Sequence, residues 1–228
     1  MLRRLLFIAF RVFVYFLGIS VIWVLVLKFL PVWVTPYMLS RKIDAFKQDQ
    51  DTEIHSDWEP YENISKEAAL AVVASEDQNF PNHWGFDFNE IYDAMTEDRK
   101  RVRGASTISQ QVAKNVFLWH GRSFIRKGLE AYFTVLIEII WGKQRILEVY
   151  LNVAEMGKMT FGVEAASLRY YNKSASKLSR AEAARIAAVL PNPIRFSIKN
   201  PSPYVMKRSN QIARQMRALG GQKYIADL

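Results

Sequence analysis

The chain has no cysteine in its 228 residues, so a disulfide framework, a thiol nucleophile and a thiolate metal site are all closed to it. Its three histidines, His55, His83 and His120, are scattered, and neither an HExxH pair nor a carboxylate-rich ion loop appears. A Gly-rich phosphate loop and a GxSxG nucleophile elbow are also missing. Strand signals are few: there is no long alternating run and no Asn-Gly or Asp-Gly hairpin dipeptide. Internal repeats and low-complexity tracts are absent. Negative charge is scarce, with 22 Asp and Glu against 31 Lys and Arg, a net charge of +9. That balance suits an anionic partner: nucleic acid, an anionic membrane surface or a phosphorylated substrate.

What the chain has in quantity is apolar surface. Half its residues are hydrophobic, enough for a core and against disorder, and its length holds one domain with something added at the N-terminus. That addition is the run from Leu5 to Val34, whose only charged residues are Arg11 and Lys28. Between them Val12 to Leu27 would form about 24 Å of helix, somewhat short of a bilayer core of about 30 Å. Snorkelling by Arg11 and Lys28, and extension through Phe29 to Val34 with Trp33 at the interface, make up the difference. A cleaved signal peptide would be shorter and followed by small residues, which Lys-Phe-Leu-Pro-Val-Trp does not offer. An uncleaved transmembrane anchor is therefore predicted over residues 12–34. Arg3, Arg4 and Arg11 keep residues 1–11 in the cytoplasm, a bias weakened by Lys28, Arg41, Lys42 and Lys47 on the far side. Residues 35–62, with Pro36 and Pro60, read as a mixed-charge connector, and residues 63–228 as the domain outside the cytoplasm.

Helix signals dominate that domain. Ile64 to Ser75 is apolar on most sides and reads as a buried helix. Thr107-x-x-Gln110 is a capping box opening Ile108–Leu118, and amphipathic runs follow over Arg126–Trp141 and Lys143–Met156. Ser179 and Glu182 box an alanine-rich helix ending at Pro191, and Ser202-Pro203 starts a last helix that Gly220 closes. Asp87 to Arg103 reads as a polar loop ending in the basic cluster Arg99–Arg103, and His120 to Ser123 as a turn. The predicted fold class is all-α.

Glu76 and Asp77 stand out because they close a helix, where the dipole disfavours carboxylates. Sequences break local rules mainly at working sites. Farther on, Thr107, Gln111 and Lys114 recur at i, i+4 and i+7 as a polar stripe beside the apolar Ile108, Val112 and Val116. The start of that helix, with free N–H groups and Lys114 farther along, is a candidate anion site. A solvated face is the plainer reading of the same stripe. Arg126 and Glu130 are four apart, as an ordinary exposed helical ion pair would be. Glu138 lies two turns beyond Glu130, and Glu148 and Asn152 are spaced to brace a site or each other. Two separated glutamates with cations and amides between them match the apparatus for chemistry at an anomeric carbon.

These residues also spell a series of motifs: EDQNFPNHWGFD at 76–87, GASTISQQVAKN at 104–115, RKGLEAYFTVLIE at 126–138, KQRILEVYLNVAEMG at 143–157 and RAEAARIAAVLPNP at 180–193. In that order they resemble the peptidoglycan glycosyltransferases, lysozyme-like helical enzymes that polymerise lipid II, over about residues 60 to 217. No transpeptidase domain is expected after Leu228, so the resemblance is to the monofunctional, membrane-anchored form. It implies that Glu76 deprotonates the 4-hydroxyl of the acceptor N-acetylglucosamine. That oxygen attacks the anomeric carbon of the donor N-acetylmuramic acid, undecaprenyl pyrophosphate leaves, and the α-linkage becomes β-1,4. Glu130 would assist departure directly or by holding a divalent cation, Mg2+ or Mn2+. Lys114, Arg126 and Lys127 match cationic positions around the pyrophosphate. Thr107, Gln111 and Asn115 match positions that contact substrate or shape the cleft, and Asp77, Phe80 and His83 align with the first-motif surroundings. Ala105 departs from the glycine many members carry. Lipid II, the growing strand and the membrane are the implied partners, with cell-wall synthesis and division proteins as candidates, and the implied site is the outer face of a bacterial cytoplasmic membrane. Paired carboxylates also fit a lysozyme-like lytic enzyme acting on finished glycan, although such an enzyme needs no phosphate-facing basic stripe. Nucleic-acid binding is disfavoured, because the charges are spread and no groove-reading element stands out.

Overall fold

Seven consecutive residues, Ala68 to Ala74, are buried in one helix, and the domain is built around it. The computed structural model describes residues 1–96, 106–119, 121 and 123–228. The basic cluster Arg99–Arg103, Ala105 and His120 lie outside the described residues. The helices are α1 (Leu2–Phe29), α2 (Pro36–Lys47), α3 (Lys66–Glu76), α4 (Phe88–Thr96), α5 (Ile108–Phe117), α6 (Phe124–Ile140), α7 (Gly142–Val153), α8 (Val163–Tyr171), α9 (Arg180–Val189) and α10 (Pro203–Ala218). Three short strands, β1 (His55–Ser56), β2 (Glu155–Gly157) and β3 (Thr160–Phe161), and four short 3-10 helices complete the regular structure of the described residues.

Two groups of helices meet at the end of α3. The central helix packs on α9 and α10, while α5 packs on α6 and α7, and α3 touches α7. Alanine on α3 and α9 allows close approach: Ala183, Ala184, Ala187 and Ala188 are all buried opposite the alanines of α3. The sequence signals for α5 and α9 hold, since both helices open with complete capping boxes, on Thr107–Gln110 and Ser179–Glu182. On α5 the stripe Ile108, Val112 and Val116 is buried as its period requires. The predicted loop from Asp87 is helical at its start. Asp87 accepts from the N–H groups of Asn89 and Glu90, each at 3.1 Å, and so caps α4.

Residues 35–62 are woven into the domain rather than forming a connector. Thr35 caps α2, Pro36 occupies its first turn, and Met38 and Ala45 are buried. Arg41 and Tyr37 of α2 both reach Glu155 at 3.0 Å. β1 pairs in parallel with β3 (His55 with Thr160, Ser56 with Phe161), and β3 pairs antiparallel with β2 across an irregular register. Asn152 accepts from the Glu59 N–H and donates to the Glu59 carbonyl, both at 2.8 Å, so its side chain braces this segment instead of a site or the Glu148 side chain. Mixed local charge concealed this, because every partner lies about a hundred residues downstream.

The N-terminal helix also departs from its predicted bounds. It starts at Leu2 and ends at Phe29, not at Val34, because Pro31 drives Leu30 to extended geometry (φ −103°, ψ 145°). The stretch Arg3–Phe29 is long and apolar enough to cross a membrane, and an 18-residue segment of it has a mean hydropathy of 2.4. Its second half is fastened to the domain. The Trp141 indole donates to the Val24 carbonyl at 2.7 Å, Ser20 Oγ lies 2.6 Å from the Tyr132 hydroxyl, and Arg145 donates to the Leu27 carbonyl at 2.8 Å.

Gly85 links the first-motif turn to α4 against α6. Its φ is +79°, and a Cβ there would lie 2.7 Å from Thr134 Cγ2 and 3.1 Å from Glu138 Cγ. Gly85→Ala is therefore expected to destabilise the protein by about 1–3 kcal/mol. Gly128→Ala, on α6 where a Cβ meets nothing within 4 Å, is expected to be neutral or mildly stabilising. Thermal unfolding of the detergent-solubilised variants measures both, and equal behaviour of the two would disprove the steric argument.

Candidate active site

Glu76 is the last residue of α3, and its side chain is 15% exposed. Three side chains donate to it: Gln111 Nε2 to Oε2 at 3.2 Å, Arg208 Nη2 to Oε1 at 3.4 Å and Ser75 Oγ at 3.4 Å. Burial nevertheless raises its pKa above the ordinary 4.5, with Gln111 and Arg208 opposing the rise and Asp77 adding to it. The orientation of Gln111 is dictated from behind. Tyr150 is buried, its hydroxyl held well above its ordinary pKa by that burial and by the charges of Glu76 and Asp77, so it stays protonated. It donates to Gln111 Oε1 at 3.1 Å, which leaves the amide N–H groups for Glu76.

Asp77 does different work. Its carboxylate accepts from His83 Nε2 at 2.9 and 3.0 Å and from the Ile108 backbone N–H at 2.9 Å. Thr107 caps α5 through the Gln110 N–H, and its own hydroxyl donates to the Gly85 carbonyl at 2.6 Å. The predicted anion site at the start of α5 is thus filled from inside the protein, by Asp77 and by the Thr107 cap. Phe80 is fully buried beneath the Lys143 ammonium, 4.5 Å from its ring centroid. His83 is buried beside it. Phe80, His83 and Thr107, matched in the sequence to motif positions around the substrate, are tied into the wall of the site in this structure, while Asp77, bonded to the same wall, also lines the cleft beside Glu76.

Farther along α5, Lys114 has neither an ion pair nor a hydrogen bond among the described residues. Burial lowers its pKa from 10.5, reinforced by Arg126 and Lys127 and opposed by Glu130 and Glu76. The same ammonium thus feels both glutamates, which places α3, α5 and α6 around one site. Glu130 is buried at 4% exposure, with Arg126 on one carboxylate oxygen at 3.4 Å and Lys127 on the other. An exposed helical pair it is not. Asn115 is buried, and its Oδ1 has no partner among the described residues. Four cations, Lys114, Arg126, Lys127 and Arg208, surround two carboxylates, an excess of two positive charges. Glu130 offers the metal-type donor here, and both its oxygens are already held by cations. This donor set does not fit a resident divalent ion, which needs several oxygen ligands. Among the described residues the cluster with ligand spacing is Asp51, Glu53 and His55, on the β1 side.

Glu76 also opens onto a polar cleft of about 360 Å3, walled by Gln78, Glu90, Pro191, Arg208, Gln211 and Gln215. Lys114, Arg126 and Lys127 line no part of it. The base candidate thus stands between a cationic cluster on α5 and α6 and an uncharged-to-mixed cleft against α10. Sequence reasoning missed Arg208 and the Tyr150 hydroxyl. Val205, Ser209, Ile212 and Met216 are the buried stripe of α10, so Arg208 was legible as an arginine at its edge. Nothing in the pattern said that the stripe faces α3. Glu138 belongs to neither side: it accepts from Ser109 and from Lys143, tying α5 to α6 and α7.

Comparison with known proteins places these residues in context. The family model described as Transglycosylase matches residues 41–217. A protein of Chromohalobacter salexigens named biosynthetic peptidoglycan transglycosylase is 52% identical over 215 residues, covering 93% of this chain and 92% of its own. Proteins of that name from Pseudomonas putida (50% over 220 residues, covering 96% of this chain and 93% of that protein) and Yersinia pseudotuberculosis (52% over 218 residues, 92% and 90%) are similarly close.

The raised pKa of Glu76 has a stability consequence. A carboxyl whose folded-state pKa exceeds its unfolded value favours the fold below the unfolded value, and that stability is lost as pH rises through the folded one. Glu76→Gln, neutral throughout, is expected to unfold at a higher temperature than the parent near about pH 8, the gap closing below about pH 4. Thermal melts across that range check the sign, and a lower melting temperature for the variant near pH 8 would contradict a net burial penalty.

Proposed function

This chain belongs to the transglycosylase family and is a peptidoglycan glycosyltransferase that polymerises lipid II into β-1,4-linked glycan, and we propose that it does so with Glu76 as base and Lys114, Arg126 and Lys127 as the diphosphate cradle. The observation that carries this assignment is the position of Glu76, with a cation-rich cluster on one side and a polar cleft on the other. In the proposed arrangement the acceptor sugar occupies the cleft, where its 4-hydroxyl gives its proton to Glu76. The acceptor oxygen forms its bond to the anomeric carbon of the donor as the bond from that carbon to the diphosphate oxygen breaks. Attack from the face opposite the leaving group turns α into β. Undecaprenyl diphosphate departs already anionic, so it needs charge stabilisation more than a proton, and fixed cations supply this without reorganising.

Glu130 serves in this reading as an electrostatic support. It holds Arg126 and Lys127 in place and offsets part of their mutual repulsion, and no step is routed through a metal. Gln111 and Tyr150 fix the Glu76 carboxylate, and the positive charge of Arg208 beside it opposes the rise in pKa that burial imposes. The pKa shift suits a base: burial moves it toward neutrality, where proton transfer from a sugar hydroxyl is more favourable. For topology, Arg3, Arg4 and Arg11 support an N-terminus in the cytoplasm and a catalytic domain on the outer face of the cytoplasmic membrane, where cell-wall synthesis and division proteins are its proposed partners.

Polymerisation of lipid II by the purified full-length protein tests the roles. Glu76→Gln is expected to lose about 10^2–10^4-fold in rate. Lys114→Ala is expected to lose about 10^2–10^3-fold through weaker leaving-group stabilisation. Normal turnover by Glu76→Gln would remove the assigned base. The pH dependence of kcat/KM should be a bell. Its acid limb lies above the ordinary carboxylate value of 4.5, since Glu76 must be ionised, and its alkaline limb below the ordinary lysine value of 10.5, since Lys114 must be charged.

A further inference from the structure

Between α1 and the α5–α6 pair lies an open apolar groove of about 370 Å3. Phe16, Ile19 and Trp23 of α1 form one wall, and Val116, Phe117 and Phe133 form the other. The polar group on this surface is spent internally: Ser20 Oγ donates to the Leu17 carbonyl at 2.9 Å and meets the Tyr132 hydroxyl. Both walls are held in place. The Trp141 bond to Val24 fixes α1, and Phe117 stacks on Phe133 with centroids 4.5 Å apart and planes within 5°. Arg11 and Lys28 bracket this part of α1, so the groove lies at hydrocarbon depth when α1 crosses a membrane. An apolar cavity of even about 150 Å3 takes up hydrocarbon rather than water, and ligand sites typically start at about 300 Å3.

The position of the groove identifies its occupant. Val116 and Phe117 directly follow Lys114 and Asn115 on α5, and Phe133 stands one turn after Glu130 on α6. At about 1.5 Å per residue, Phe117 lies roughly 4.5 Å along the helix from Lys114. The hydrocarbon groove therefore begins within a turn of the cations assigned to the leaving diphosphate. A ligand whose chain starts at the atom next to a diphosphate matches that polarity; a bilayer phospholipid interposes a glycerol diester between phosphate and chain. We propose that this groove binds the first isoprene units of the donor's polyprenyl chain, so that α1 is a wall of the substrate site as well as an anchor. The proposal rests on the diphosphate assignment made above for Lys114, Arg126 and Lys127.

A polyprenyl diphosphate carrying a diazirine in its second isoprene unit tests this with the full-length protein in nanodiscs. Photolysis and peptide mapping are expected to mark residues 16–23 and 116–117, with labelling competed by unlabelled polyprenyl diphosphate and not by phosphatidylglycerol. Labelling confined to other surfaces, or equal competition by phosphatidylglycerol, would overturn the groove assignment. Undiminished labelling in Lys114→Ala would instead overturn the diphosphate assignment beneath it. As a functional arm, Ile19→Trp fills the groove. It is expected to lower the ratio of kcat/KM for an undecaprenyl donor to that for a short-chain donor by about tenfold, the loss of one or two buried methylenes or more. Ile22→Trp, on α1 but outside the groove lining, should leave that ratio at the parental value. An unmoved ratio in Ile19→Trp, with both donors still turned over, defeats the groove while leaving the catalytic roles intact.

Discussion

Asp77 accepts hydrogen bonds from the His83 ring and from the Ile108 N–H, and through them the end of α3 is fastened to the start of α5. Buried hydrogen bonds to an ionised group are among the stronger polar contacts, and this one also satisfies a donor that a helix start leaves unpaired. With that joint in place, Gln111 lies one turn along α5 and reaches Glu76, and Lys114 a further turn along feels both glutamates. Thr107 and Gly85 repeat the fastening from the other side of the turn. The geometry of the site thus rests on hydrogen bonds made inside its wall.

The site is electrostatically unfinished by itself. Lys114, Arg126, Lys127 and Arg208 outnumber Glu76 and Glu130, and Lys114 is partly deprived of water. Like charges held close in a poorly solvated place cost stability, and the diphosphate proposed to bind here would relieve that cost. Binding energy of this kind grows as charge develops on the leaving oxygen, so it is spent on the transition state more than on the ground state. Glu130 limits the repulsion in the resting protein while leaving a net positive field. Glu76 faces the opposite problem, a carboxylate made reluctant to ionise by burial, which is what a base for a sugar hydroxyl requires.

The anchor and the domain are joined by hydrogen bonds to backbone carbonyls of α1, at Val24 and Leu27, together with the Ser20–Tyr132 contact. These join α1 to α6 and α7, the helices behind the cationic cluster. Exposed apolar side chains also stand just before and along α6, at Trp119, Phe124, Ile125, Val135 and Ile139. In water such a surface would be a liability; next to a helix able to span a bilayer, it is a surface suited to lipid. With α1 in a bilayer, hydrocarbon and water would meet close to Lys114, where the proposed lipid-linked diphosphate also changes from chain to head group.

Capping boxes, helical periodicity and the order of the motifs were local properties, so the sequence by itself determined the main helices, the all-α class and the candidate pair Glu76 and Glu130. The motifs likewise marked Lys114 and Arg126 as partners for phosphate. Tertiary structure decided which of the motif residues are spent inside the protein. Phe80, His83 and Thr107 carry the same motif signal as Gln111 and Lys114, yet they are turned into the wall, because a side chain's direction is set by what packs behind it. It also decided that residues 35–62 belong to the fold, that Arg208 reaches Glu76 from 132 positions away, and that α1 closes one side of an apolar groove. Those facts depend on contacts between segments far apart in the chain, and no local pattern of residues encodes which distant surface a helix face will meet.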